Sequence, residues 1–185
     1  MVSIPTQTNF IDAESAAGSS KRTDEEEFYG GLVEKYGSPL YVYDLNEVSK
    51  RCSELKSFFP KATTSRLMYS FKANPLPAVA GELRSGGCEA DLTTTGEIAA
   101  AIEAGFDLSK ALYGGPGKGH GEIRFAIESG VRQFSIESWN DLNIIASAAR
   151  EADVIVQGLF RVNPLEAPRA KLAMSGVSSQ FGFEE

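Results

Sequence analysis

The sequence predicts an α/β fold built on a parallel sheet. Three observations predict it. Short apolar runs alternate with stretches of helical spacing along most of the chain, several helical stretches open on a capping residue or a proline, and polar residues gather where the apolar runs stop. With 185 residues the chain is long enough for one domain with a sizeable core.

The elements follow in order. Residues 1–23 are rich in Ser, Thr, Ala and Gly without periodicity and read as a mobile leader, taken as 1–27 to include the acidic run Asp24-Glu25-Glu26-Glu27, a solvated helix start. Phe28, Leu32, Val33 and Tyr36 then fall at helical spacing, with Gly37 as the stop. Leu40-Tyr41-Val42-Tyr43 reads as a strand and residues 45–59 as a helix, so that 28–66 forms a helix, strand and helix ahead of the main sheet.

From residue 67 the alternation is regular. Residues 67–71 predict a strand and 77–85 a helix beginning on Pro77; residues 88–92 predict the next strand. Thr94 and Glu97 have the spacing of a capping box, with Glu97 able to reach back to the Thr94 amide, and Ile98, Ala101 and Ile102 line one face of the helix that follows. Residues 111–113 predict a strand, 122–129 a helix and 133–136 a strand. Ser138 and Asp141 open a helix with Leu142, Ile145 and Ala146 on one side, and residues 154–162 are the last strand-like run. That makes about five strands, where a closed (β/α)8 barrel has eight and typically about 250 residues. Periodicity alone leaves a part-closed barrel and an open doubly wound sheet both standing.

Composition excludes several classes. A net charge of −7 speaks against a nucleic-acid or anionic-membrane binder, which needs a basic face. No apolar run approaches the roughly 20 residues that span a bilayer, and no basic start followed by an apolar stretch marks a secretory signal. Cys52 and Cys88 are the only cysteines, which suits a reducing cytoplasm better than a disulfide framework. One histidine, His120, and no Cys or His cluster leave no metal site to expect.

In parallel α/β folds reactive groups collect at the C-terminal ends of strands. The chain places Lys72 and Asn74, Asp91, Gly114 to Lys118, Glu137, and Arg161 with Asn163 at such ends. A lysine ending a hydrophobic strand is expected at the mouth of an apolar interior, where partial desolvation favours the neutral amine that forms a Schiff base. Two other features invite a functional reading and fail it. Gly114-Gly115-Pro116-Gly117-Lys118-Gly119 lacks the first glycine and the final Ser or Thr of a Walker loop, Leu112 and Gly119 standing there instead, and so reads as a strand-to-helix loop. His120 sits in a glycine-rich loop before a helix and reads as a surface residue.

Several segments taken together resemble the fold-type III pyridoxal-phosphate-dependent decarboxylases, the family of diaminopimelate, ornithine and arginine decarboxylases. Tyr36-Gly37-Ser38-Pro39-Leu40-Tyr41-Val42-Tyr43 is similar to the family's opening segment, and Tyr69-Ser70-Phe71-Lys72-Ala73-Asn74 to its Schiff-base lysine motif. Residues 86–93 with Gly96-Glu97-Ile98, Gly114 to Lys118, Phe160-Arg161-Val162-Asn163-Pro164 and Gln180-Phe181-Gly182 follow in the family's order.

The resemblance implies pyridoxal phosphate as cofactor, with Lys72 as catalytic lysine and Asp91, Glu97 and Arg161 as cofactor-binding groups. It implies a partial (β/α)8 barrel of the alanine racemase-like type over residues 67–185, ending ahead of the family's C-terminal β-domain. It also implies decarboxylation of a basic or diamino acid, a cytoplasmic setting and a homodimeric full-length enzyme. Structural readings stand beside these: Glu97 as a helix cap, Asp91 as a loop solubiliser, Arg161 as an ion-pair partner. A related racemase, a single-barrel pyridoxal carrier and an inactive fragment are the competing functions. The family's ring-stacking histidine, phosphate-binding glycines and catalytic β-domain residues fall downstream of Gln180-Phe181-Gly182, so the site is expected to be half built and the sheet to keep an open edge.

Overall fold

The computed structural model describes residues 21–60, 64–163 and 182–184. The chain divides into two compact units, residues 1–42 and 43–185. The first holds α1 (Lys21–Tyr36), which takes in the acidic run and in which Leu32 is buried while Phe28, Tyr29 and Val33 are exposed. Residues 1–20 of the expected leader lie outside the described residues. The strand expected at 40–43 does not form: Tyr41 is 85% exposed, and no segment among the described residues pairs with it. An alternating pattern needs a partner strand before it becomes a ladder.

The second unit opens on α2 (Leu45–Ser57), whose first turn is capped by the Asp44 carboxylate accepting from the amides of Asn46 and Glu47. Then come β1 (Met68–Ser70), α3 (Pro77–Ser85), β2 (Glu89–Leu92), α4 (Thr95–Glu103), a 3-10 turn (Leu108–Lys110), β3 (Leu112–Tyr113) and α5 (His120–Glu128). β4 (Gln133–Ile136), α6 (Trp139–Glu151) and β5 (Gln157–Phe160) complete the sheet. The single run expected at 154–162 is divided at Arg161: β6 (Val162–Asn163) leaves the five-stranded sheet and pairs in parallel with β7 (Phe183–Glu184).

All pairings in the larger sheet are parallel and the strand order is β1-β2-β3-β4-β5. This order decides between the two candidate architectures. A doubly wound sheet reverses direction at a switch point and carries helices on both faces, whereas here each strand is added beside the last. The helices follow suit, α2 against α3, α3 against α4, α4 against α5 and α5 against α6. One face of the sheet is therefore covered: Ala90, Leu92, Tyr113, Phe134 and Ile136 are buried against Ile98, Ala101, Ile123, Ala126 and Ile145. Their strand neighbours Glu89, Asp91, Gln133 and Ser135 are only half-buried on the opposite face. One covered face, one less covered polar face and unidirectional winding make five strands of an α/β barrel. Of the helix faces read from spacing, Ile98, Ala101 and Ile145 are buried, whereas Ile102 turns outward at 53% exposure.

Arg66 fastens the N-terminal end of this sheet. Its guanidinium donates to Glu89 of β2, to Gln133 of β4 at 2.9 Å and to the Lys110 carbonyl ahead of β3 at 2.6 Å. A second fastening joins α2 to the turn between α3 and β2. The Lys56 amine donates to the carbonyls of Gly86, at 2.6 Å, and Gly87. A β-carbon on Gly86 would stand 2.7 Å from the Cys52 sulfur. The Gly86 backbone is right-handed helical, so the close approach alone demands glycine. Gly86→Ala is expected to destabilise the chain by about 1–3 kcal/mol through overpacking, read as a lower urea midpoint with an unchanged slope.

Candidate active site at the strand ends

The candidate residues sit at the C-terminal ends of the strands, opposite the Arg66 fastening. Lys72 lies in the turn after β1, and hydrogen bonds on either side fix that turn. The Phe71 amide donates to the Asp91 carbonyl at 3.0 Å, extending the β1–β2 ladder by one rung. The Tyr69 hydroxyl donates to the Asn74 carbonyl at 2.7 Å, and the Asn74 side chain accepts from the Leu76 amide where α3 begins. Burial raises the Tyr69 phenol above its ordinary pKa, which keeps it protonated as a donor. The Tyr-Ser-Phe-Lys-Ala-Asn segment is thus a self-bracing turn that presents its lysine. Both residues brace the turn; Asn74 was read from the sequence as a polar group at this strand end, whereas Tyr69, though it lies in the quoted motif, was not singled out.

Lys72 itself is exposed, not set in the apolar mouth expected from its strand end, because only one face of the sheet is covered. Its amine makes no hydrogen bond or ion pair among the described residues, and neither does the half-buried carboxylate of Asp91 on the adjacent strand. Gly114 lies over Asp91 and Ser135, where a β-carbon would stand 4.0 Å from an Asp91 carboxylate oxygen.

Glu97 is engaged, but not as expected. The Thr94 hydroxyl accepts from the Glu97 amide at 3.1 Å, while the Glu97 carboxylate accepts from the amide of Thr93, at 2.7 Å, and from its hydroxyl, one residue before the cap. The start of α6 repeats the arrangement. There the Ser138 hydroxyl accepts from the Asp141 amide, and the Asp141 carboxylate accepts from the Glu137 amide at 3.1 Å. In both places an acidic side chain in the first helical turn pins the end of the preceding strand. Glu97→Ala removes the acceptor of a backbone amide and is expected to cost about 1–2 kcal/mol in urea unfolding.

The glycine-rich loop after β3 contains the most buried charge of the region. The Lys118 side chain is 1% exposed; it donates to Asp141 at 2.8 Å and to the Gly115 carbonyl, and lies 3.9 Å from Glu137. Glu137 accepts from the Gly115 amide at 3.1 Å and from the Arg161 guanidinium at 3.1 Å. Gly115 is required here on two counts: its φ is +95°, and a β-carbon would come within 2.9 Å of Thr93. The network joins the loops after β3, β4 and β5 and fixes Arg161 beside them. So the loop does not bind through its lysine; it is held by it. His120 is exposed and pairs with Glu151, as expected of a surface residue. An apolar cleft of about 420 Å³ between α2, β1 and α3 includes none of the candidate residues in its lining.

Residues 45–185 match the family described as "Pyridoxal-dependent decarboxylase, pyridoxal binding domain". The chain belongs to this family. It is 30% identical over 156 residues to the diaminopimelate decarboxylase of Zymomonas mobilis, covering 82% of this chain and 37% of that protein. It is also 30% identical, over 155 residues, to the L-glutamyl-[BtrI acyl-carrier protein] decarboxylase of Niallia circulans, covering 83% of this chain and 36% of that one. Among solved structures, the diaminopimelate decarboxylase of Helicobacter pylori in complex with L-lysine superposes with a TM-score of 0.76 at 26% identity, over 83% of this chain and 39% of that one. The chain therefore spans a little over a third of the length of these relatives. Its fold is that of the alanine racemase-like barrel decarboxylases, of which it holds five strands, and pyridoxal phosphate is the cofactor of the family. An unengaged primary amine and an unengaged carboxylate on neighbouring strand ends fit the aldehyde end of that cofactor. No helix among the described residues is long and apolar enough to cross a membrane.

Proposed function

We propose that Lys72 attaches pyridoxal phosphate, and that the protein is a decarboxylase of a basic or diamino acid. The observation that carries this reading is the pair of unengaged groups at adjacent strand ends, the Lys72 amine and the Asp91 carboxylate, on a turn braced by Tyr69 and Asn74. When bound, pyridoxal phosphate supplies the electron sink for loss of CO2. The chain's own residues bind and orient. Lys72 holds the cofactor through its amine, and Asp91 gives a negative charge beside it that favours a protonated nitrogen. Glu97 and Arg161, held by Thr93 and Glu137, line the same rim.

In this reading residues 67–185 form the cofactor-binding barrel portion, 28–66 precede it and 1–27 are a leader. The full-length enzyme is a cytoplasmic homodimer that takes an amino acid and binds no nucleic acid, in keeping with the net charge of −7. The names of the relatives support substrates of the diaminopimelate and carrier-linked kinds alike.

Attachment is tested by mixing the chain with pyridoxal phosphate, reducing with borohydride and mapping the labelled peptide by mass spectrometry. A label concentrated on Lys72 is expected. An even spread over exposed lysines such as Lys50 and Lys110 would show that the chain offers no site. The reaction is tested by CO2 release from diaminopimelate, ornithine, arginine and a carrier-linked amino acid.

A further inference from the structure

The two cysteines are remote in sequence and adjacent in space. Their sulfurs lie 3.3 Å apart across 36 residues, with Cys52 1% and Cys88 6% exposed. Cys52 is on α2, and Cys88 immediately precedes β2, at the end of the sheet opposite Lys72. Both backbones are anchored. One turn after Cys52, Lys56 grips the carbonyls of Gly86 and Gly87, and the Cys88 amide donates to the Leu83 carbonyl at 3.0 Å. Glycine at position 86 lets the Cys52 sulfur lie against the turn that leads into Cys88. A disulfide is about 2.05 Å long, so bonding needs about 1.2 Å of approach, shared between two side chains. Both cysteines also line the 420 Å³ cleft, with Leu55, Met68, Val79 and Leu83, so the buried pair lies beneath an opening of the surface and not deep in the core.

We propose that Cys52 and Cys88 are a site of reversible oxidation, forming an intramolecular disulfide with a small-molecule disulfide such as oxidised glutathione as oxidant. A cysteine thiolate attacks the oxidant; its S–S bond breaks, a mixed disulfide forms and one glutathione thiolate leaves. The second cysteine, as thiolate, attacks the protein sulfur of that mixed disulfide, and the second glutathione leaves as a thiolate. Two protons pass to solvent or to the leaving thiolates, the cysteines are oxidised, and the oxidant is reduced to two thiols. Burial pushes the Cys88 thiol up to about 12, so the exchange is slow at neutral pH and faster in alkali. In a reducing compartment the pair rests as two thiols packed like small hydrophobes. Oxidation would tie α2 covalently to the sheet, independently of whether Lys72 holds a cofactor.

The test equilibrates the full chain in glutathione redox buffers, once folded and once in concentrated urea, followed by acid quench, alkylation and mass spectrometry. The folded chain should show a disulfide-to-dithiol ratio at least about tenfold higher than the unfolded chain at the same buffer composition, which is about 1.4 kcal/mol of mutual stabilisation. The product should be monomeric, two hydrogens lighter, and should yield a linked Cys52–Cys88 peptide. Cys88→Ser and Cys52→Ala should each give only a glutathione adduct on the remaining thiol. Equal or lower ratios in the folded chain, a bond between two chains, or stable glutathione adducts on both cysteines would overturn the proposal.

Discussion

Lys118→Met is expected to destabilise the chain by about 3–5 kcal/mol, because it strands buried carboxylates without their cation. The Lys118 side chain is 1% exposed and lies against Asp141 and Glu137, themselves 4% and 3% exposed. The two carboxylates are not left equally poor. Glu137 keeps the Arg161 guanidinium and the Gly115 amide, whereas among the described residues Asp141 keeps only the neutral amide of Glu137. The loss therefore falls mainly on Asp141. Adding Asp141→Asn to Lys118→Met removes the unpaired charge while retaining an oxygen for the Glu137 amide, and it should recover more than half of the stability. Urea unfolding at constant slope measures both variants. A loss below about 1 kcal/mol for the single variant would place the pair among solvated surface bridges instead.

The same network shows how far the sequence could be read. The strands and helices of residues 67–160 follow from period and capping, and their bounds fall within a few residues of those expected, while the break at Arg161 that splits off β6 was not foreseen. What period could not supply was connectivity. Whether successive strands add in one direction or reverse at a switch point depends on how each helix packs back, and the choice appears only in the pairing order. The strand expected at 40–43 failed for a related reason: Leu40-Tyr41-Val42-Tyr43 has the composition of a strand but finds no ladder partner among the described residues.

Side-chain roles were legible where they act locally and not where they act across loops. The Thr94 cap lies three residues from its amide and was visible as a spacing. Lys118 and Asp141 are 23 residues apart, and nothing in either neighbourhood marks them as partners. Arg66 joins Glu89, Lys110 and Gln133 over as many as 67 residues and was equally silent. The glycine-rich loop resembled a phosphate cradle because glycine serves both purposes. Here the positive φ at Gly115 and its contact with Thr93 account for the glycine, and Lys118 is turned inward to bind the loop's own carbonyl. The two ends of the sheet divide the work: Arg66 and Lys56 fasten the N-terminal end, while the C-terminal end presents Lys72 and Asp91 unengaged.

That division makes Lys72→Ala a sharp test of the proposed attachment. Lys72 is exposed and bonds to nothing among the described residues, so its truncation should change folding stability by no more than about 0.5 kcal/mol. Borohydride-fixed pyridoxal, by contrast, should fall to the background set by the remaining exposed lysines. Other lysines differ in kind from Lys72: the exposed Lys50 and Lys110 pair with Glu47 and Asp107, and the buried Lys118 is sealed in its network. Lys72→Arg keeps the positive charge but offers no primary amine. It should lose the label as fully as alanine does, which separates covalent attachment from electrostatic attraction of the phosphate. Tyr69→Phe retains the amine and frees the turn, and is expected to slow labelling without abolishing it. If Lys72→Ala keeps full labelling with an intact fold, the attachment point lies elsewhere and the pairing with Asp91 has no bearing on the cofactor.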